Sequence, residues 1–208
     1  MQVTVYGASG KVGRLVVAEL LADQHTVVAF VHQRNPFVGQ TGVSVISGSV
    51  NEPAAVALAA AGSQVLISTL GSWGTMTKTV VSTGTQAIIA AAQKQHIRRV
   101  ITLTGASAFC SADSPTTSDR LTHQLLNLLA PKILRDGEQH LQLLEASDLD
   151  WTALRSPAML GFGAAKYQLV AKPSSLLATI PRRAVVQSII DQVRSTDSYK
   201  QAPVIRRG

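Results

Sequence analysis

The sequence predicts an α/β protein built on a doubly wound, mainly parallel sheet. Two observations carry that prediction. Short runs rich in β-branched residues alternate with longer runs whose apolar residues recur at helical spacing. Several strand-like runs, HTVVAFVH above all, are continuously apolar, as in strands covered by helices on both faces. Strand, helix, strand in repetition means parallel strands joined by right-handed crossovers.

QVTVY (2–6) is the first strand, ended by Gly7. Lys11 to Ala22 is a helix, with Val12, Leu15, Val16 and Leu20 on one face. HTVVAFVH and VSVIS are the second and third strands. A helix opens at Glu52-Pro53, where a first turn tolerates proline, and runs to Ala61. QVLISTL is the fourth strand, Thr79 to Gln95 an alanine-rich helix, and RRVITLT the fifth strand. The polar stretch from Phe109 to Ser118 reads as a loop. Helical patterns follow at Asp119 to Leu129 and Leu134 to Ala146, then the sixth strand LDWTALRS, stopped by Pro157. Past Met159 the pattern is irregular until a helix from Arg182 to Arg194, and APVIR closes as a strand. No repeat or linker divides the chain, so 1–208 is expected to be a single domain, with 157–181 a small C-terminal cap on the substrate side.

The chain has 208 residues, 46% hydrophobic and 15% charged, ample for a packed core. Its one cysteine, Cys110, excludes an internal disulfide and any cysteine-based zinc site. The five histidines show no paired-ligand spacing, so no metal is expected. No run approaches the roughly 20 apolar residues that cross a bilayer, and no basic-then-apolar leader precedes the first strand. A cytoplasmic protein without a membrane partner is expected, either monomer or homodimer. The net charge is +7, but the basic residues are scattered and aromatics are only 4%, so no nucleic-acid partner is expected.

The loop GASGKVG joins the first strand to the first helix. Gly7 permits the turn, Gly10 lets backbone approach a diphosphate, and Gly13 lets helix pack on strand. The helix N-terminus then offers free N–H groups to an anion. A glycine triplet alone can be only a tight turn; between strand and helix it predicts a Rossmann-type dinucleotide site. Lys11 adds positive charge there, or is simply a solvated lysine. A site for NAD usually carries an acidic residue about 20 positions on. None occurs from Gln24 to Asn51; the second strand instead runs into His32-Gln33-Arg34. A guanidinium grips a 2′-phosphate that a carboxylate would repel. NADP(H) is therefore expected over NAD(H), with Arg34 the anchor and His32 or Gln33 assisting; the plainer reading of Arg34 is a loop arginine.

The motifs TVYGASGKVG, VHQRNP, SGSVNEPAAVALAAAGSQVLISTLG, RRVITLTGAS and SDLDWTALRSPAML, in this order, span most of residues 1–160. In them the chain resembles the atypical short-chain dehydrogenase/reductases with a compact NAD(P)H-binding domain, among them NmrA-like proteins and flavin/biliverdin-IXβ reductases. The tail IPRRAVVQSIIDQV resembles the last helix of that family. The resemblance implies that Gly7, Ser9, Gly10, Lys11, Val12 and Gly13 wrap the diphosphate and that Ser49 and Val50 lie by adenine. The family commonly has an aspartate where this chain has Ser49. It implies Leu70 and Gly71 beside the ribose, Thr104, Gly105, Ala106 and Ser107 beside the nicotinamide, and Pro157, Ala158 and Met159 at the carboxamide. It also implies an acidic residue near Asp136 facing the pocket.

Classical members of that superfamily deliver a proton from a Tyr-x-x-x-Lys pair. Here the residues four beyond Tyr6, Tyr167 and Tyr199 are Gly10, Ala171 and Pro203, so the pair is absent. That argues against ordinary carbonyl reduction, which needs a positioned acid. Hydride transfer to a stacked flavin or quinone needs mainly orientation. Ser107 is a candidate donor to the acceptor, or caps a local turn. Asp136 and His140 share a helix face and are candidate catalytic groups, or an exposed helical pair; Asp119 and His123 repeat the spacing. Trp73 is placed to flank a ring-shaped substrate, and Trp151 reads as core. The expected function is NADPH-dependent reduction of a flavin, quinone or similar planar small molecule. The alternatives are a non-catalytic NADP(H) sensor and a carbonyl-directed dehydrogenase with an unusual acid.

Overall fold

The structure is a computed structural model and describes residues 1–160, 163–171 and 178–208. Eight strands form one sheet in the order β3-β2-β1-β4-β5-β6-β8-β7. They are β1 (Gln2–Tyr6), β2 (Thr26–Val31), β3 (Val43–Ser47), β4 (Val65–Ser68), β5 (Arg99–Gly105), β6 (Asp150–Ser156), β7 (Tyr167–Val170) and β8 (Val204–Arg207). The pairings are parallel except β7 on β8, which is antiparallel. The strand order reverses between β1 and β4, which opens a crevice at their carboxyl ends.

The sequence alternates along β1 to serve two cores. Val3 and Val5 face α1 (Gly13–Ala22) and α6 (Arg182–Asp191), in a cluster with Val16, Leu20 and Ile189. Thr4 and Tyr6 face the other layer, where α2 (Pro53–Ala60), α3 (Val80–Lys94) and α5 (Pro131–Glu145) pack. Their hydroxyls are satisfied there, Thr4 Oγ1 donating to the Ala59 carbonyl at 2.6 Å and Tyr6 Oη to Val56 at 2.8 Å. α4 (Thr117–Leu129) lies outside, against α5, and buries no residue fully.

The expected elements are present, with shifted ends. α4 starts at Thr117 because Thr116 and Asp119 form a capping box. α5 starts at Pro131, a residue suited to a first turn. β7 was not expected: Tyr167–Val170 has four residues and exists through its pairing with β8. Of the expected cap at 157–181, residues 161–162 and 172–177 lie outside the described residues. Among the described residues, no helix is long and apolar enough to cross a membrane.

Candidate functional site

The glycine loop is built by contacts that a side chain would break. Gly7 has φ +75°, and a Cβ there would meet the Thr69 and Leu70 backbone at 3.1 Å. Thr69 Oγ1, at the end of β4, donates to the carbonyls of Tyr6 at 3.0 Å and Gly7 at 3.2 Å, fixing the turn across the crevice. A Cβ on Gly13 would lie 2.3 Å from the Gly7 carbonyl oxygen, so only glycine lets α1 start this close to β1. α1 begins with no side-chain cap and no acidic residue in its first turn. Among the described residues the N–H groups of Lys11 and Val12 have no acceptor. Such a helix start is an anion site, and the cradle fits a dinucleotide diphosphate.

From this loop a cleft of about 610 Å³ extends along the carboxyl ends of β4, β5 and β6. Its near wall is Gly10, Lys11 and Val12; its floor is Leu70, Gly71, Thr104, Gly105, Ser107, Pro157, Ala158 and Met159. Leu126, Ala130, Ile133 and Leu134 supply an apolar far wall, Trp73 stands at the rim 74% exposed, and Arg182 enters from α6. Gly137 makes room for the floor: a Cβ there would meet Thr104 Oγ1 at 3.0 Å and Ala108 Cβ at 3.2 Å.

A family profile described as NAD(P)H-binding matches residues 7–196. The chain belongs to the NAD(P)H-binding family. Solved structures share the fold of this NAD(P)H-binding chain. A short-chain dehydrogenase/reductase of the wide type from Veillonella parvula DSM 2008, in complex with NADP, has a TM-score of 0.80 at 21% identity, covering 99% of this chain and 94% of that one. ChuY, an anaerobillin reductase from Escherichia coli O157:H7, has a TM-score of 0.81 at 22% identity, covering 100% and 97%. A putative NAD-dependent epimerase/dehydratase from Bacillus halodurans has a TM-score of 0.78 at 22% identity, covering 100% and 94%. At these identities the likeness is one of fold. It agrees with the motif-based resemblance to NAD(P)H-binding atypical short-chain dehydrogenase/reductases.

Of the expected cofactor residues in this NAD(P)H-binding chain, Gly10, Lys11, Val12, Leu70, Gly71, Thr104, Gly105, Pro157, Ala158 and Met159 line this same cleft. Gly7 and Gly13 shape the loop behind it, and Ala106 is buried. Ser9, His32, Arg34, Ser49 and Val50 stand outside its walls, on loops that follow β1, β2 and β3. Arg34 is exposed and makes no hydrogen bond or ion pair with a described residue. His32 Nδ1 lies 3.3 Å from the Gly48 carbonyl. The Ser49 hydroxyl accepts from Asn51 N–H at 3.2 Å, so a local turn occupies it.

The polar candidates separate. Ser107 lines the cleft half-buried and its hydroxyl is not engaged in a local turn. Asp136 and His140 are both buried, 2% and 0% exposed, rather than an exposed pair. Asp136 accepts from Val81 N–H at 3.1 Å, Ser82 N–H at 2.8 Å and the Ser72 hydroxyl. It thus caps α3, which has no side-chain cap from its own Thr79, and ties it to the 70–77 loop. Asp136 does not bond His140.

His140 lies between Thr85 (Nδ1, 2.7 Å) and Thr102 (Nε2, 3.0 Å). Thr85 already donates to Val81 at 2.8 Å, so Nδ1 carries the proton and Nε2 accepts from Thr102. Burial lowers its pKa to about 4. His140 is not among the cleft-lining residues, so this placement gives the expected catalytic role no support. Asp119 belongs to the α4 capping box, whereas His123 bonds Glu138 at 2.7 Å.

Three features went unread in the sequence. Arg155 is 1% exposed, with its guanidinium on both carboxylate oxygens of Asp113 at 2.5 and 2.8 Å. It also donates to Ala108 and Ala202, so it fastens the 105–113 segment to β6. A lone arginine in an apolar parallel strand was the available signal, since such a charge must be paired. Gly137, a glycine inside a helical pattern, signalled close packing. Arg182 carried no signal before the fold placed it in the cleft.

Proposed function

We propose that the chain is an NADPH-dependent reductase acting on a flavin, quinone or similar planar acceptor. The observation that carries the proposal is the continuity of the uncapped glycine-loop helix with a largely apolar cleft. No tyrosine is among the described residues that line that cleft, so none stands there as an acid; Tyr6 donates instead to the Val56 carbonyl and Tyr167 to Asp191. NADPH supplies a hydride from its nicotinamide when bound.

Lys11 and Val12 N–H bind the diphosphate, and Gly7 and Gly13 hold those amides in place. Arg34, its guanidinium open to solvent, binds the 2′-phosphate and gives the preference for NADP(H); Ser49 and Val50 border the adenine. The Thr104–Gly105 backbone and the Pro157–Met159 loop orient the nicotinamide end. Ser107 donates a hydrogen bond to the acceptor, and Trp73 covers its ring. Asp136 is a positioning residue that anchors the 70–77 loop and α3.

The test is loss of NADPH absorbance with FMN, riboflavin, a quinone or an aldehyde supplied. Consumption with a flavin or quinone is expected. Tight binding of both cofactor forms without turnover would favour a sensor, and turnover with aldehydes alone a carbonyl-directed enzyme.

A further inference from the structure

We propose that Arg182 selects acceptors carrying an anionic group, a carboxylate or a phosphate, beside their ring. The inference rests on the reductase reading and adds the charge of the acceptor to it. Arg182 is the first residue of α6 and lines the cleft half-buried. It makes no hydrogen bond or ion pair with any described residue, which leaves its five N–H donors open toward them. The guanidinium is charged at any working pH. A cation partly withdrawn from water is costly until an anion joins it. The described lining offers none: its one carboxylate, Asp136, is engaged by Ser72, Val81 and Ser82.

The backbone that delivers Arg182 is fixed. Ala158 and Thr179 form a β-bridge, Ile180 N–H donates to the Ala158 carbonyl at 3.0 Å, and Ile180 and Pro181 are buried. Arg182 is therefore tethered to the Pro157–Met159 loop, assigned above to the nicotinamide end. The diphosphate has other donors, the Lys11 and Val12 amides and the Lys11 side chain. An anion for Arg182 then belongs to the molecule stacked on the nicotinamide. The forked guanidinium suits a carboxylate or a phosphate equally.

FMN and riboflavin share one ring and differ by a phosphate, so they isolate the effect. Their dissociation constants are read by quenching of flavin fluorescence on the full chain loaded with NADP+, for wild type, Arg182→Gln and Arg182→Lys. NADPH affinity and thermal midpoints are measured beside them. Wild type is expected to bind FMN at least tenfold tighter than riboflavin, about one charge-assisted hydrogen bond. Arg182→Gln is expected to bring that ratio close to one by weakening FMN alone, and Arg182→Lys to keep part of it.

An FMN advantage that survives Arg182→Gln overturns the inference. So does a loss of NADPH affinity in place of FMN affinity, equal binding of both flavins by wild type, or binding of neither. The same samples separate the two readings. Arg182-dependent FMN binding without NADPH oxidation removes the reductase and keeps the anion site. Turnover indifferent to the phosphate keeps the reductase and removes the anion site.

Discussion

Replacing Gly13 by alanine is expected to damage the fold and the cofactor site together. The added methyl would sit 2.3 Å from the Gly7 oxygen, 2.8 Å from Ala8 Cα and 2.9 Å from the Ala8 oxygen. The first of these is more than 1 Å inside the ~3.5 Å at which non-bonded atoms attract. All three neighbours are backbone, and Gly7 is held by Thr69 and by Gly10 N–H at 3.0 Å. The strain must therefore move α1. Overpacking of this kind costs about 1–3 kcal/mol, a fall of roughly 2–10 °C in thermal midpoint for a chain of this size.

The Lys11 and Val12 amides move with the helix, so NADPH affinity is expected to fall at least tenfold, about 1.4 kcal/mol. Scanning calorimetry and a fluorescence titration read the two effects. Gly105→Ala is the control for the stability effect alone, because no protein atom lies within 4 Å of a Cβ there; its stability should stay within about 0.5 kcal/mol. Gly13→Ala with an unchanged midpoint and unchanged NADPH affinity would refute the reasoning.

Arg34→Ala is expected to weaken NADPH by about 2 kcal/mol while leaving NADH nearly unaffected, as the loss of a charged phosphate contact requires; parallel titrations decide it, and equal losses remove Arg34 from the 2′-phosphate. His140 sets an acid sensitivity. The folded chain holds its imidazole neutral down to about pH 4, whereas the unfolded chain protonates it near 6.5. The unfolded state binds more protons in that window, so stability is full above it and falls by roughly 3 kcal/mol as pH drops through it. Urea unfolding of His140→Gln across that range should be flatter than wild type by about this amount. Arg155→Met strands the Asp113 carboxylate, 3% exposed in its side chain, and should cost about 3–5 kcal/mol in urea unfolding; adding Asp113→Asn should recover part of it.

The parallel layers were legible because each strand and helix carries its own period. The strands from QVTVY to RRVITLT and the glycine loop follow from local patterns that the fold keeps. β7 was not legible, since Tyr167–Val170 is short and its partner β8 lies over thirty residues away. The floor of the cleft was readable from strand ends, because crossovers put every such end on one edge. The fate of Asp136 and His140 was not. Spacing on one helix says that two side chains share a face, not whether α3 covers it. α3 does, and its N-terminus and Thr85 claim the two polar groups. Arg182 became visible only when β6 and α6 were brought side by side.

The measurement that goes to the centre is a crystal structure of the chain with NADP+. The diphosphate oxygens are expected within hydrogen-bonding distance of the Lys11 and Val12 amides, with the 2′-phosphate on Arg34 and the nicotinamide over Gly105. A diphosphate bound away from the start of α1 would contradict the assignment of the site.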